Sequence, residues 1–232
     1  MAVTKTQVYL TNNDTGTSQT IELDGVVTEF PLTGLQPYTN YTAYPRAECN
    51  NLFGNLGGYS ALGSPVTFTT LPLSQSSYLT SYDSDRQISI ISNASNAYTE
   101  PTSASGYATI YLTRGAGAVT YIYWHFGNMN IPQGATILNI TFKFRALCET
   151  TVSARIPVHT AQLYVGTTTA KGTTTTISNT ATTYTVTFNP NSWTVDELNN
   201  ATLKLYAERG TENANTAYAF RLYGAEMVVE YY

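Results

Sequence analysis

Polar and apolar residues alternate with a period of two along nearly all of this 232-residue chain, which directs it to β-structure. Ile140-Thr-Phe142-Lys-Phe144-Arg145 shows the pattern cleanly. In a strand Ile140, Phe142 and Phe144 point to one face, while Thr141, Lys143 and Arg145 point to the other. Leu203, Leu205 and Ala207 repeat the arrangement, with Thr202, Lys204 and Tyr206 outside. In the last strand Phe220 and Leu222 share one face, whereas Met227, Val229 and Tyr231 fall on the other by strict counting. One extra residue near Gly224 restores a common face, so the sequence predicts a β-bulge there. A single short helix is predicted at Thr194-Val-Asp-Glu197, a capping box with Leu198 directed to the core and Asn199-Asn200 ending it.

Before residue 78 the segments are short. Val3 to Leu10, Gln19 to Leu23 and Val26 to Leu32 read as strands, with Asn12-Asn13-Asp14-Thr15-Gly16 and Asp24-Gly25 as the turns between them. Asn40 to Glu48 is the next strand, Asn50 to Ser64 a loop rich in Gly and Asn, and Pro65 to Thr70 a closing strand. The run Leu35-Gln-Pro37-Tyr-Thr-Asn-Tyr41, with Val66-Thr-Phe68-Thr-Thr-Leu71-Pro72 after it, resembles the second half of a fibronectin type III domain. The resemblance implies that Leu35, Pro37 and Tyr41 form a tyrosine corner, a structural feature of immunoglobulin-like sandwiches. Only 34 residues precede Leu35 and no Trp occurs in the first 120, so the family's opening strands and its core Trp are missing. Residues 1–72 are therefore read as a partial fibronectin III-like module, residues 73–77 as a linker and residues 78–232 as a second domain.

The second domain, with about eight strands and one helix, fits a jelly-roll β-sandwich. Tyr123-Trp-His-Phe126 followed by Ile131-Pro-Gln-Gly-Ala-Thr-Ile137 resembles a signature of jelly rolls in bacteriophage structural proteins and bacterial surface proteins. Ser192-Trp-Thr-Val-Asp-Glu-Leu-Asn199, then Arg221-Leu-Tyr-Gly-Ala225 and Val228-Val-Glu-Tyr231, resembles the end of such domains in phage virion proteins. The stretch Thr167 to Thr176 is read as a hairpin tip or exposed loop.

Composition narrows the function classes. Charged residues make up 11% of the chain, against roughly 25% in ordinary soluble proteins. Nineteen tyrosines against eight phenylalanines supply many aromatic faces with a polar tip, which suits interfaces. This is the profile of an extracellular or virion-surface β protein. A net charge of −4, with scattered Lys and Arg, gives no electrostatic footprint for nucleic acid. No run approaches the roughly 18 apolar residues of a membrane span. Met1-Ala-Val-Thr-Lys-Thr-Gln has no apolar segment of the export type, so cytoplasmic synthesis or a processed product is expected. Cys49 and Cys148 lie far apart in the sequence and are read as two thiols rather than a disulfide.

The chemistry-bearing residues do not assemble into a catalytic constellation. His125 and His159 have no Cys or His partner at metal spacing, and no Gly-x-Ser-x-Gly elbow accompanies the many Ser and Thr. Asp83-Ser-Asp85 is open to two readings, oxygens of a calcium site or a polar turn before a strand. Gly115-Ala-Gly-Ala118 is read as a hairpin tip. Tyr121, Tyr123 and Trp193 are the candidates for a glycan or subunit contact. Alternation puts Tyr121 and Tyr123 on one side of their strand, Trp124 and Phe126 on the other.

The fold class expected is thus all-β: a partial immunoglobulin/fibronectin III-like sandwich followed by a jelly-roll β-sandwich with one short helix. The resemblances imply a non-enzymatic accessory protein on the surface of a bacteriophage virion, without a cofactor. Head decoration or a head fibre comes first, a tail or baseplate component second. Its partners would be other virion proteins, further copies of itself and a host surface glycan, with no nucleic acid and no membrane. The alternative is a carbohydrate-binding or adhesive module of a phage fibre or bacterial surface protein.

Overall fold

The computed structural model describes residues 3–50, 56–84, 89–101, 106–112, 119–148, 158–208 and 220–232. Asp85 and Gly115–Ala118 lie outside them. The protein is all-β and divides into two compact units, Met1–Leu73 with Tyr232, and Ser74–Tyr231.

The first unit contains β1 (Val3–Asn12), β2 (Ser18–Asp24), β3 (Asn40–Asn50), β4 (Leu56–Tyr59) and β5 (Val66–Thr69). They form one five-stranded antiparallel sheet, in which β1 lies between β2 and β3, and β3 also pairs with β4 and β5. Val8 pairs with Ile21 and Pro45, Leu10 with Gln19 and Ala43, and Tyr41 with Phe68, so one face is apolar. Leu10 and Tyr41 are buried there, and the Tyr41 ring stacks on Phe68 with centroids 5.8 Å apart.

The other face is polar. The Glu22 carboxylate accepts from the Lys5 ammonium at 3.2 Å, from the Tyr59 hydroxyl at 2.8 Å and from the Gln7 amide. Arg46 Nε donates to Gln7 Oε1 at 2.6 Å, and its guanidinium lies 4.3 Å from the Tyr59 ring centroid. The Tyr59 hydroxyl, then Lys5 and Gln7, hold the Glu22 carboxyl below its ordinary pKa.

The tyrosine corner is formed at the start of β3. The Gln36 N–H donates to the Tyr41 hydroxyl at 3.0 Å, with Leu35 and Pro37 half-buried beside it. Three expectations for this unit require correction. Val26 to Leu32 is not a strand, because after β2 the chain is drawn sideways onto β1: Gly25 N–H donates to Thr4 O at 2.8 Å, and Thr6 Oγ1 bonds the Gly25 carbonyl. Pro31 could not complete a ladder in any case. The loop Asn50 to Ser64 contains β4. Residues 73–77 are no linker but the first residues of β6 (Leu73–Ser84), since a strand needs paired backbone more than apolar side chains.

The second unit is a jelly-roll β-sandwich. After β6 come β7 (Ser89–Ser92), β8 (Ala108–Leu112), β9 (Val119–Phe126), β10 (Ile137–Cys148) and β11 (Val158–Val165). Next are β12 (Thr169–Thr176), β13 (Thr182–Phe188), the helix α1 (Val195–Asn199), β14 (Ala201–Glu208) and β15 (Phe220–Tyr231). One layer runs β12-β11-β14-β9-β6, and the other runs β13-β10-β15 with β8 and β7 alongside. A pairing of β6 with β15 joins them. Ile122, Trp124 and Phe126 of β9 and Leu203, Leu205 and Ala207 of β14 face Ile140, Phe142 and Phe144 of β10 in one buried cluster. Phe126 meets Phe142 edge-on across the layers at 5.8 Å.

The ladder between β10 and β15 slips where Arg145 pairs with Gly224 and Ala146 with Leu222, leaving Tyr223 as the extra residue of a bulge. Gly224 has φ +156°, and a Cβ there would lie 2.4 Å from the Thr99 carbonyl oxygen. Helix α1 is entered through the reciprocal Thr194–Glu197 capping box and buries Val195 and Leu198. Thr167 to Thr176, read as a hairpin tip or exposed loop, begins in the turn of the β11–β12 hairpin but is mostly strand β12. As an edge strand it needs only backbone pairing to β11 and shows no apolar alternation.

Candidate functional site

Three neighbouring strands of one layer carry aromatic and cationic side chains on the face away from the core. The register aligns them in rungs. Tyr121 of β9 pairs with Tyr206 of β14, and Tyr123 pairs with Lys204, which pairs in turn with Gln162 of β11. On the next rung His125 pairs with Thr202, which pairs with Tyr164. Ile122, Trp124, Leu203, Leu205, Ala161 and Leu163 occupy the alternate positions and fill the core, so the tyrosines are forced outward by the pleat.

Lys204 stands at the centre of this patch. Its ammonium is 5.0 Å from the centroid of Tyr164, 5.4 Å from Tyr121, 5.5 Å from Tyr123 and 5.9 Å from Tyr206. Tyr123 meets Tyr121 and Tyr164 edge-to-face at 5.5 and 5.8 Å. Tyr121 is 42% exposed, whereas Tyr123, held between its neighbours, is 8% exposed. Cation–π attraction and edge-to-face packing thus fix the rings, and no described residue hydrogen-bonds the tyrosine hydroxyls. Those hydroxyls are left to interact with whatever approaches the face. At the border His125 Nε2 is 2.9 Å from Asp83 Oδ2, and Gln162 is tied to β12 by bonds to the Gly172 carbonyl at 2.9 Å and Thr174 at 3.2 Å.

The structure thus brings Tyr121 and Tyr123 together but places Trp193 elsewhere. Trp193 is 4% exposed, meets Phe188 edge-on at 5.7 Å and lies under the Lys171 ammonium at 5.0 Å. Lys171 is itself held 2.8 Å from Glu197, whose pKa is lowered first by that contact and then by the Thr194 backbone. Trp193 therefore closes the end of the core beside α1. It borders a shallow groove of about 440 Å³ that includes Gln133, Ile137, Asn191 and Asp196.

Leu35, Pro37, Tyr41 and Gly224 occupy structural positions in the corner and the bulge. Asp83 is engaged with His125, and among the described residues no three His, Cys, Asp or Glu side chains cluster as metal ligands. Lys204, Tyr164 and Tyr206 were not among the candidates read from the sequence. Alternation put Lys204 and Tyr206 outside β14, but only the register across β9, β14 and β11 places them with Tyr121.

No family model matches the chain, and no curated protein matches it. Among solved structures the chain is similar to the carbohydrate-binding module TmCBM61 in complex with beta-1,4-galactotriose. The match has 7% identity and a TM-score of 0.29, and covers 66% of this chain and 85% of that chain.

Proposed function

We propose that this protein is a non-enzymatic accessory protein on the surface of a bacteriophage particle, and that its jelly roll binds a surface glycan through the outer face of β9, β14 and β11. The observation that carries the glycan reading is the cluster of Tyr121, Tyr123, Tyr164 and Tyr206 around Lys204. Sugar rings present flat C–H surfaces edged with hydroxyls. Rigid tyrosines offer a matching apolar face with hydroxyls at the rim, at little cost in side-chain entropy. The virion placement rests on the resemblance of Ile131–Ile137 and Ser192–Tyr231 to phage jelly rolls, with head decoration or a head fibre ahead of a tail component. Its further partners there would be other virion proteins and copies of itself.

A glycan array probed with the full chain tests the binding. Retention on a defined glycan class, lost with Tyr121→Ala or Tyr164→Ala while the fold persists, is expected. Retention on no class would remove the glycan reading. An electron-microscopy map of the native particle tests the placement, with density for the sandwich expected on the outer surface.

A further inference from the structure

The ligand class of this face can be narrowed by its charge. We propose that the glycan bound there is acidic, its carboxylate received by Lys204; this rests on the glycan reading above. Lys204 forms no ion pair with a carboxylate of the described residues, and its ammonium lies among the rings of Tyr121, Tyr123, Tyr164 and Tyr206. Two of the other three lysines differ from it. Lys5 is bonded to Glu22 and Lys171 to Glu197, so each of those charges is matched within the protein.

Among the described residues two carboxylates share the outer face with Lys204, and neither neutralises it. Asp83 lies on the same rung beyond Tyr123, two strand spacings or roughly 10 Å away along the backbone. It is also turned to His125. Glu208 lies four residues along β14, roughly 13 Å at the usual strand rise. Gln162, the rung neighbour on the other side, spends both ends of its amide on β12.

Lys204 is therefore an ammonium partly withdrawn from water, supported by ring faces and without a counter-ion among the described residues. The rings stabilise the cation without neutralising it, so a ligand carboxylate would gain an ion pair at a site already stripped of some water. A neutral sugar could use the ring edges and hydroxyls but would leave that charge unmatched. Uronic and other carboxylated sugars combine the stacking face with the anion, which is the combination the patch presents.

The test is an array of uronate- and sialate-bearing oligosaccharides, each printed beside its carboxyl-reduced counterpart. The probes are the full chain, Lys204→Gln, Lys204→Arg and Tyr121→Ala, each first shown to melt as the parent does. The expected result is that an acidic member binds at least about tenfold more tightly than its reduced form, the size of one charge-assisted hydrogen bond. Lys204→Gln should erase that difference and Lys204→Arg should keep it. If reduced and acidic forms bind equally and Lys204→Gln changes neither, the acidic assignment is overturned while glycan binding stands. If neither series binds, both readings fall.

Discussion

Gln36 donates its backbone N–H to the hydroxyl of Tyr41 across 3.0 Å, and this one bond ties the loop before β3 to the buried end of the first unit's apolar face. Tyr41 is 5% exposed, so Phe would fill the same space and lose only the bond. Tyr41→Phe is expected to destabilise the first unit by about 1 kcal/mol, the net worth of one hydrogen bond. Denaturant unfolding should show a lower midpoint with an unchanged slope; an unshifted midpoint would mean the corner is held by other contacts.

Gly224→Ala is expected to cost the sandwich about 1–3 kcal/mol, as overpacking against rigid neighbours does. The added Cβ would meet the backbone oxygens of Thr99 and Glu100, which cannot swing aside as a side-chain tip can. A thermal melt checks this, and a melting temperature equal to the parent's would show that the bulge can relax.

Trp193→Phe should leave glycan binding unchanged and cost little stability. Among the described residues the buried Trp193 Nε1 has no hydrogen-bond partner, so the larger ring carries a desolvated donor that Phe lacks. Loss of binding in this variant, with the fold intact, would return Trp193 to the binding surface.

The Glu22 network predicts a pH dependence confined to the first unit. The folded-state pKa of Glu22 is lowered, so its contribution is present above the ordinary value of 4.5 and is lost as pH falls through the folded value. The pKa of Lys5 is raised, first by its bond to Glu22, so its contribution is present below 10.5 and lost as pH rises through the folded value. Between these limits the network is intact. Both groups are exposed, so the effect is small, and Glu22→Gln should flatten the acid limb of midpoint against pH. An acid limb equally steep in the variant would assign it to other carboxylates.

Expressed apart, the two units should behave differently. Residues 74–232 contain a complete two-layer core and are expected to melt cooperatively as a monomer. Residues 1–73 form a single sheet and expose Leu71 at 84% and Val26 at 72%, so this fragment is expected to self-associate or to pair its edges with another chain. A monomeric, cooperatively melting 1–73 would show that one sheet and its covering loop suffice.

The sequence was legible wherever side-chain pattern decides structure. Ile140, Phe142 and Phe144, the Thr194–Glu197 cap and the extra residue before Gly224 are local signals, and local geometry satisfies them. It was illegible where pairing decides. Val26 to Leu32 has the composition of a strand but no adjacent strand to accept its bonds, whereas Thr169–Thr176 has no apolar face yet pairs with β11. The tyrosine patch fails to appear in the sequence for the same reason. Tyr121, Lys204 and Tyr164 come from three strands, and antiparallel register is a property of the sheet, not of any one segment.

That dependence on register bears on how the protein comes to exist in the cell. Strand β15 is the last of the sandwich to be synthesised, yet it lies between β10 and β6 and is the joint between the two layers. Until Phe220–Tyr231 has been made, β10 lacks one of its two neighbouring strands. Closure of the second unit therefore waits for β15, whose pairings of long sequence separation form last, a slow route for a β topology. In that interval the nascent chain would depend on cellular chaperones to keep its bare strands apart.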